Sequence, residues 1–220
     1  MNAPRDIARM PPAAGAPAEV WYASYGSNTH RERLGAYIVG GKPGGAARGY
    51  PGCRDRTMPV RSLPVVLPGV LYFATESLVW GGGRAFYDPA SAGRTFAVAH
   101  LVTAGQFSDI AAQEMYREPG ADLDLTEALT HGRARFGDGR YETLVCAGAM
   151  DGWPVLTFTA PWGLADLPGV PPTAAYVEHL ASGLRETGAW SVREIAAYVA
   201  ASPGASGHWS ARAVRELLTR

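Results

Sequence analysis

Val20-Trp21-Tyr22-Ala23-Ser24-Tyr25-Gly26-Ser27-Asn28 is the stretch on which the reading of this chain turns. It is a short apolar run that leads straight into a Gly-Ser-Asn turn, the pattern of a buried strand with a sharp exit. Gly26 is free to take backbone angles closed to other residues. Ser27 and Asn28 carry side chains that hydrogen-bond locally in turns. Two readings follow from these residues. One is an ordinary strand-terminating turn. The other is a bend whose amides converge on an anion.

The rest of the chain sets the frame. At 220 residues it fits one large domain, with residues 1–19 as a flexible tail and 20–220 as a single domain ending in helices. The hydrophobic share of 47% is enough for a substantial core. Twenty basic residues balance twenty acidic ones, which gives no electrostatic case for nucleic acid or an anionic membrane. Lys42 is the single lysine, so the basic residues are otherwise arginine. Cys53 and Cys146 are the two cysteines, too few for a disulfide framework. No continuous apolar run approaches the roughly 20 residues of a membrane span. A cytoplasmic protein is the expectation, and the oligomeric state is left open.

Further along, residues 29–39 fit a helix or an irregular connection, and residues 40–61 read as a long Gly/Pro/Arg-rich loop. Val65-Val66-Leu67, Val70 to Ala74, Ala85-Phe86-Tyr87 and Thr95 to Thr103 are strand material. The apolar segments from Tyr141 to Ala147 and from Trp153 to Ala160 flank Asp151-Gly152, a strong hairpin signal. Three helices close the chain. The first starts near Thr173, the second at the capping-box sequence Ser191-Val192-Arg193-Glu194, and the third near Ser210.

A helix from Gly105 to Tyr116 carries the second informative residue. Positions seven apart on a helix lie about 20° from the same direction. Phe107, Ile110, Ala111 and Glu114 therefore share a face, while Asp109 and Gln113 fall on the side expected to be solvated. A carboxylate on a burying stripe needs a partner or a raised pKa. That suits a general acid/base, and it equally suits a carboxylate at the edge of the stripe paired with an arginine. His30, His100, His131, His179 and His208 show no helical zinc-ligand spacing, and no Cys-x-x-Cys occurs. A Gly-x-Ser-x-Gly elbow is absent, and the glycines from 40 to 45 lead into no helix that would make a phosphate loop. Gly81-Gly82-Gly83 reads as a turn or bulge, and Arg84 either holds a substrate carboxylate or is a surface arginine.

With Tyr25-Gly26-Ser27-Asn28 after a strand, Glu114 on a later helix and the Tyr176-Val177-x-x-Leu180 helix followed by another amphipathic one, the chain resembles the γ-glutamylcyclotransferase-like family. The resemblance spans about Trp21 to Ala200. It implies an α+β fold, a small mixed β-barrel flanked by helices. It implies that Tyr25, Gly26, Ser27 and Asn28 hold the glutamyl part of a small-molecule γ-glutamyl substrate and that Glu114 is the acid and base. It implies release of an amine with formation of 5-oxoproline, with no cofactor and no metal. The family's acidic motif commonly reads Leu-Asp-x-x-Glu-Gly. Here Asp109 is further from Glu114, and Met115 stands where that motif has glycine, so the match at Glu114 rests on helix face and position. An amidase using water on the same scaffold and a non-catalytic ligand-binding protein are the alternatives.

Overall fold

The computed structural model describes residues 3–10, 15–42 and 49–219. Part of the expected tail and residues 43–48 of the expected glycine-rich loop lie outside it.

The opening run forms β1 (Glu19–Ser24), and it lies in the interior of a six-stranded sheet. The other strands of that sheet are β2 (Ser62–Pro68), β5 (Arg94–Thr103), β6 (Arg133–Arg135), β7 (Thr143–Met150) and β8 (Trp153–Thr159), in the order β2-β5-β1-β8-β7-β6. β1 is antiparallel to β5 and parallel to β8, so the sheet is mixed. A strand covered on both faces needs apolar side chains on both, which explains the unbroken run Val20-Trp21-Tyr22-Ala23. Trp21, Ala23 and Tyr25 enter one core, whereas Val20 and Tyr22 enter the other.

Helices divide between those two faces. α4 (Ala174–Glu186), α5 (Val192–Ala201) and α6 (Ala211–Leu218) supply Val177, Leu180, Ile195, Val199 and Val214 to the core of Trp21. α1 (Arg31–Val39), α2 (Ala104–Glu114) and α3 (Thr126–His131) supply Leu34, Ile38, Phe107, Ile110 and Ala128 to the core of Tyr22. A separate ribbon pairs β3 (Val70–Glu76) with β4 (Gly83–Asp88). It is tied to β8 by Thr159, whose hydroxyl accepts from Tyr87 N and donates to Tyr87 O. The α+β class and the helix-flanked mixed sheet match the expectation, but among the described residues no hydrogen-bonded ladder closes the two sheets, so "barrel" is a loose description.

Local signals account for most element ends. Asp151 and Gly152 both take positive φ, 51° and 86°, which is the geometry a two-residue β7–β8 hairpin requires. Ser191 and Glu194 form the expected capping box of α5. Thr103 and Gln106 form another at the start of α2. Thr173 and Ser210 cap α4 and α6. Within the stretch expected as a tail, Arg5 N donates to Pro64 O, and Ala8 exchanges backbone bonds with Ala149. Both cysteines are free. Among the described residues no helix is long and apolar enough to cross a membrane.

Candidate active site

β1 ends at Ser24, and a single 3-10 turn, Ser27–Thr29, follows Gly26 before α1 begins. Thr29 fixes the turn by donating from its amide and its hydroxyl to Gly26 O. Gly26 has φ −110°, outside the left-handed region, so the sharp exit does not depend on glycine's freedom there. A Cβ at this position would meet Tyr176 Oη at 3.4 Å, an ordinary contact, so the space there does not demand glycine either. Helix α4 braces the turn from behind. The carbonyl of Ser27 accepts from His179 Nε2 at 3.0 Å, and the His179 ring lies between His30 and Trp80. Burial depresses the pKa of His179 to about 4.

The four residues of the tetrapeptide do not behave alike. Tyr25 turns its hydroxyl inward to Phe158 O at 2.9 Å, and burial holds its pKa well above the usual value. Gly26 lines a small recess together with Tyr25, Ser27, Asn28 and Glu114. Ser27 lines both that recess and the larger cleft beside it. Asn28 is buried, and its Nδ2 donates to Tyr22 Oη at 3.2 Å and to Glu114 Oε1 at 3.3 Å. The turn and Glu114, 86 residues apart in sequence, are therefore in direct contact rather than on opposite walls.

Glu114 is the last residue of α2, and its position follows from the stripe Phe107, Ile110 and Ala111, all fully buried. Desolvation raises its pKa above the ordinary carboxylate value. The hydrogen bond from Tyr37, the charges of Arg33 and Arg140 and the bond from Asn28 act in the opposite direction without overcoming it. Tyr22 is raised as well, first by burial and then by the negative charge of Glu114.

The other polar residues of α2 depart from expectation. Asp109 and Gln113 are buried, at 1% and 6% exposure, not solvated. For Asp109 the reason is the segment 49–61, which packs across that side of the helix, and for Gln113 it is α1. Asp109 accepts from Arg54 N at 2.8 Å and Arg54 Nε at 3.0 Å, and Gln106 Nε2 donates to Asp55 O and Thr57 O. Gln113 Nε2 donates to Tyr37 O at 2.9 Å. A helix read alone does not disclose that a loop from elsewhere in the chain covers its polar side.

Beside the recess lies a cleft of about 420 Å³, lined by Glu114, Ser27, Tyr37, Tyr50, Trp80 and Tyr176 among others. Four arginines line it: Arg33 of α1, Arg84 of β4, Arg117 just after α2 and Arg140 ahead of β7. Arg33 is 5% exposed, bonds to Tyr50 Oη and lies 4.7 Å from the centre of that ring. Arg84 is half-buried, not a surface arginine, and burial lowers its pKa. Its place is set by the glycine triplet, because a Cβ at Gly83 would lie 1.9 Å from Val170 O. Gly82 and Gly83 thus lie in close contact with the chain's own backbone at Pro171 and Val170. Arg33 and Arg140 carry no local sequence signal. Only the fold brings them to Glu114.

Among the described residues no group of three or more His, Cys, Asp and Glu side chains is placed to hold a metal ion.

No protein-family model matches the chain. A curated relative, histone deacetylase 5 of Arabidopsis thaliana, is 32% identical over 202 residues, 84% of this chain. The chain spans about a third of that relative's length (31%), so the name describes a much longer protein. The crystal structure of an uncharacterized Homo sapiens protein superposes with a TM-score of 0.50 at 15% identity, covering 93% of this chain and all of that one. A solved γ-glutamyl cyclotransferase gives 0.49 at 13% identity, covering 91% of this chain and 98% of that one. At such identities the likeness is one of fold, and it extends over nearly the whole of this chain and all of the uncharacterized human protein.

Proposed function

We propose that this protein is a γ-glutamylcyclotransferase-like enzyme that releases an amine from a γ-glutamyl compound and forms 5-oxoproline, with Glu114 as general acid and base. The observation that carries the reading is the contact between Asn28 and Glu114 in a small recess, where Glu114 and Ser27 also line the adjoining cleft that is large enough for a small substrate.

In this reading the glutamyl part lies over the turn. The turn's own bonds use the amides of Thr29 and His30, and the amides of Ser27 and Asn28 face the task of holding a substrate oxygen. The substrate's α-amine attacks its own γ-carbonyl carbon. A carbon–nitrogen bond forms in the five-membered ring, and the bond to the outgoing amine breaks. Holding the two ends of one molecule in this geometry contributes on the order of 7–11 kcal/mol. The attacking nitrogen loses a proton to the Glu114 carboxylate, and the same proton passes to the departing nitrogen. One carboxyl serves both steps best when its pKa is lifted toward working pH, the direction that burial imposes on Glu114. Tyr25 supports the floor rather than the substrate, since its hydroxyl is committed to Phe158 O.

The test is to incubate the protein with a panel of γ-glutamyl amines and γ-glutamyl peptides and to analyse the products. Release of 5-oxoproline is expected, with Glu114→Gln slower by about 10²–10⁴-fold. Free glutamate in place of 5-oxoproline would make the enzyme an amidase. Equal rates for wild type and Glu114→Gln would remove Glu114 from the chemistry.

A further inference from the structure

The cleft holds more positive charge than the chemistry at Glu114 uses. Arg117 also lines it, but its guanidinium is paired with Glu142. Arg33 is the cation whose charge acts most strongly on Glu114, and it is packed among Tyr37, Tyr50 and Trp80. Arg84 and Arg140 remain. Neither makes an ion pair among the described residues. Both are half-buried. Arg84 Nε and Arg140 Nη2 are buried N–H groups without a hydrogen-bond partner.

These two side chains approach from different elements and feel one another. The positive charge of Arg140 acts on Arg84 and adds to the desolvation that disfavours its charged form. Each is held in place by a contact that leaves donors over. Arg84 Nη2 donates to Glu76 O, and Arg140 stacks on Tyr116 with its guanidinium carbon 4.1 Å from the ring centre. Two like charges kept together with unmet donors are costly unless something negative offsets them. An oxyanion satisfies both the charge and the donors, and arginine suits planar or tetrahedral oxyanions because its donors form a rigid fork.

We propose that Arg84 and Arg140 form an oxyanion-binding site in the cleft, which takes a carboxylate or phosphate group of the ligand. The site adjoins Glu114, on whose carboxyl the charge of Arg140 acts, but it does not depend on what reaction the Asn28–Glu114 contact performs. Only the identity of the oxyanion's bearer rests on the cyclotransferase reading. It is either the α-carboxylate of the glutamyl unit or an acidic group on the outgoing amine.

The first experiment needs no turnover. Inorganic phosphate is titrated into the protein at constant ionic strength, with the fluorescence of the tryptophans, Trp80 among them, as the readout. Saturable binding is expected, weakened at least about 10-fold in Arg84→Gln and Arg140→Gln, since a charge-assisted bond contributes that much, and only partly kept in Arg84→Lys, which retains the charge but not the fork. Protection of Arg84 and Arg140 by phosphate against an arginine-specific dicarbonyl, mapped by mass spectrometry, gives the same information in the wild type and covers a variant that fails to fold. No saturable phosphate response, or a folded Arg140→Gln that binds as wild type, overturns the proposal. An inactive protein that still binds phosphate through these arginines keeps the site and defeats only the cyclotransferase reading. If the protein is active, paired substrates identify the bearer. With a γ-glutamyl amino acid and the matching γ-glutamyl alkylamine, loss confined to the acidic leaving group places the oxyanion there. Equal loss for both assigns it to the glutamyl α-carboxylate.

Discussion

Asn28 joins Tyr22 Oη and Glu114 Oε1 through one amide nitrogen, so a single side chain connects the turn, the central strand and the end of α2. Its bond stabilises the ionised form of Glu114 and thereby lowers that carboxyl's pKa against the upward pull of burial. Removing the donor in Asn28→Ala is expected to raise the pKa of Glu114 further. Because the reaction needs the ionised carboxylate, the acidic limb of the pH–rate profile moves to higher pH. Asn28→Asp places a like charge beside Glu114 and moves it the same way. A limb that stays put in both variants would mean that Glu114 is not the group titrating. The same raised pKa has a consequence for stability. A folded-state carboxyl pKa above the unfolded value means that the folded form binds the proton more tightly. Its contribution is therefore full at low pH and lost as pH rises through the folded pKa. Glu114→Gln removes the titration, so its melting temperature relative to wild type is expected to rise between acid and neutral pH, as thermal scans at the two pH values will show. A residue that costs stability in its working state is what a functional site imposes.

At the scale of elements, α4 packs directly against the turn and bonds to it through His179. Gly183 of α4 lies against the 3-10 segment, where a Cβ would approach Thr29 Oγ1 to 2.5 Å and His30 N to 2.7 Å. Gly183→Ala sets two effects against each other. Helix propensity favours alanine by about 1 kcal/mol, whereas overpacking costs about 1–3 kcal/mol. The second contact is backbone and cannot rotate away, so net destabilisation is expected, together with a fall in activity as the turn moves off α4. A variant as stable and as active as wild type would show that the helix does not position the turn. The sequence makes several of these elements legible because their determinants are local. The Asp151-Gly152 hairpin, the Ser191–Glu194 box and the apolar run of β1 each declare themselves within a few residues. The three-residue β6 and six-residue α3 go unread, since neither spans enough periods of its pattern to stand out. The site divides in the same way. Glu114 is legible as a carboxylate on an apolar stripe. Arg33 and Arg140 are not, because their convergence is made by contacts between distant segments, and the same is true of the burial of Asp109 beneath residues 49–61.

For the molecule as a whole, the segment before β1 connects parts of the sheet that the strand order keeps far apart. Arg5 bridges to Val65 in β2, at one edge, and Ala8 bridges to Ala149 in β7, next to the other. Ile7 packs against the core that contains Trp21 and Met150. Arg5 and Arg61 both reach Asp151 at the β7–β8 turn, at 3.0 and 2.6 Å. The β7 backbone bulges to receive this strap. Gly148 takes φ +137° in the register shift between Cys146 and Gly148, and a Cβ there would lie 2.2 Å from Ala8 O. Deleting residues 1–10 would expose the partly buried Ile7 contact and leave the backbone groups of Pro64 and Ala149 to water. The exposed ion pairs at Asp151 contribute little by themselves. From the apolar contact alone the loss is on the order of 1–2 kcal/mol, which for a chain of this size lowers the melting temperature by about 2–8 °C. None of the strap residues lines the cleft, so activity measured well below the transition should be retained within about twofold. A truncated protein that melts with wild type would show that the strap only decorates the sheet. One that melts earlier and also loses activity at low temperature would show that the cleft and the far edge of the sheet respond as one unit. The expected result, lower stability with activity kept, separates the part of the chain that holds the sheet from the part that holds the site.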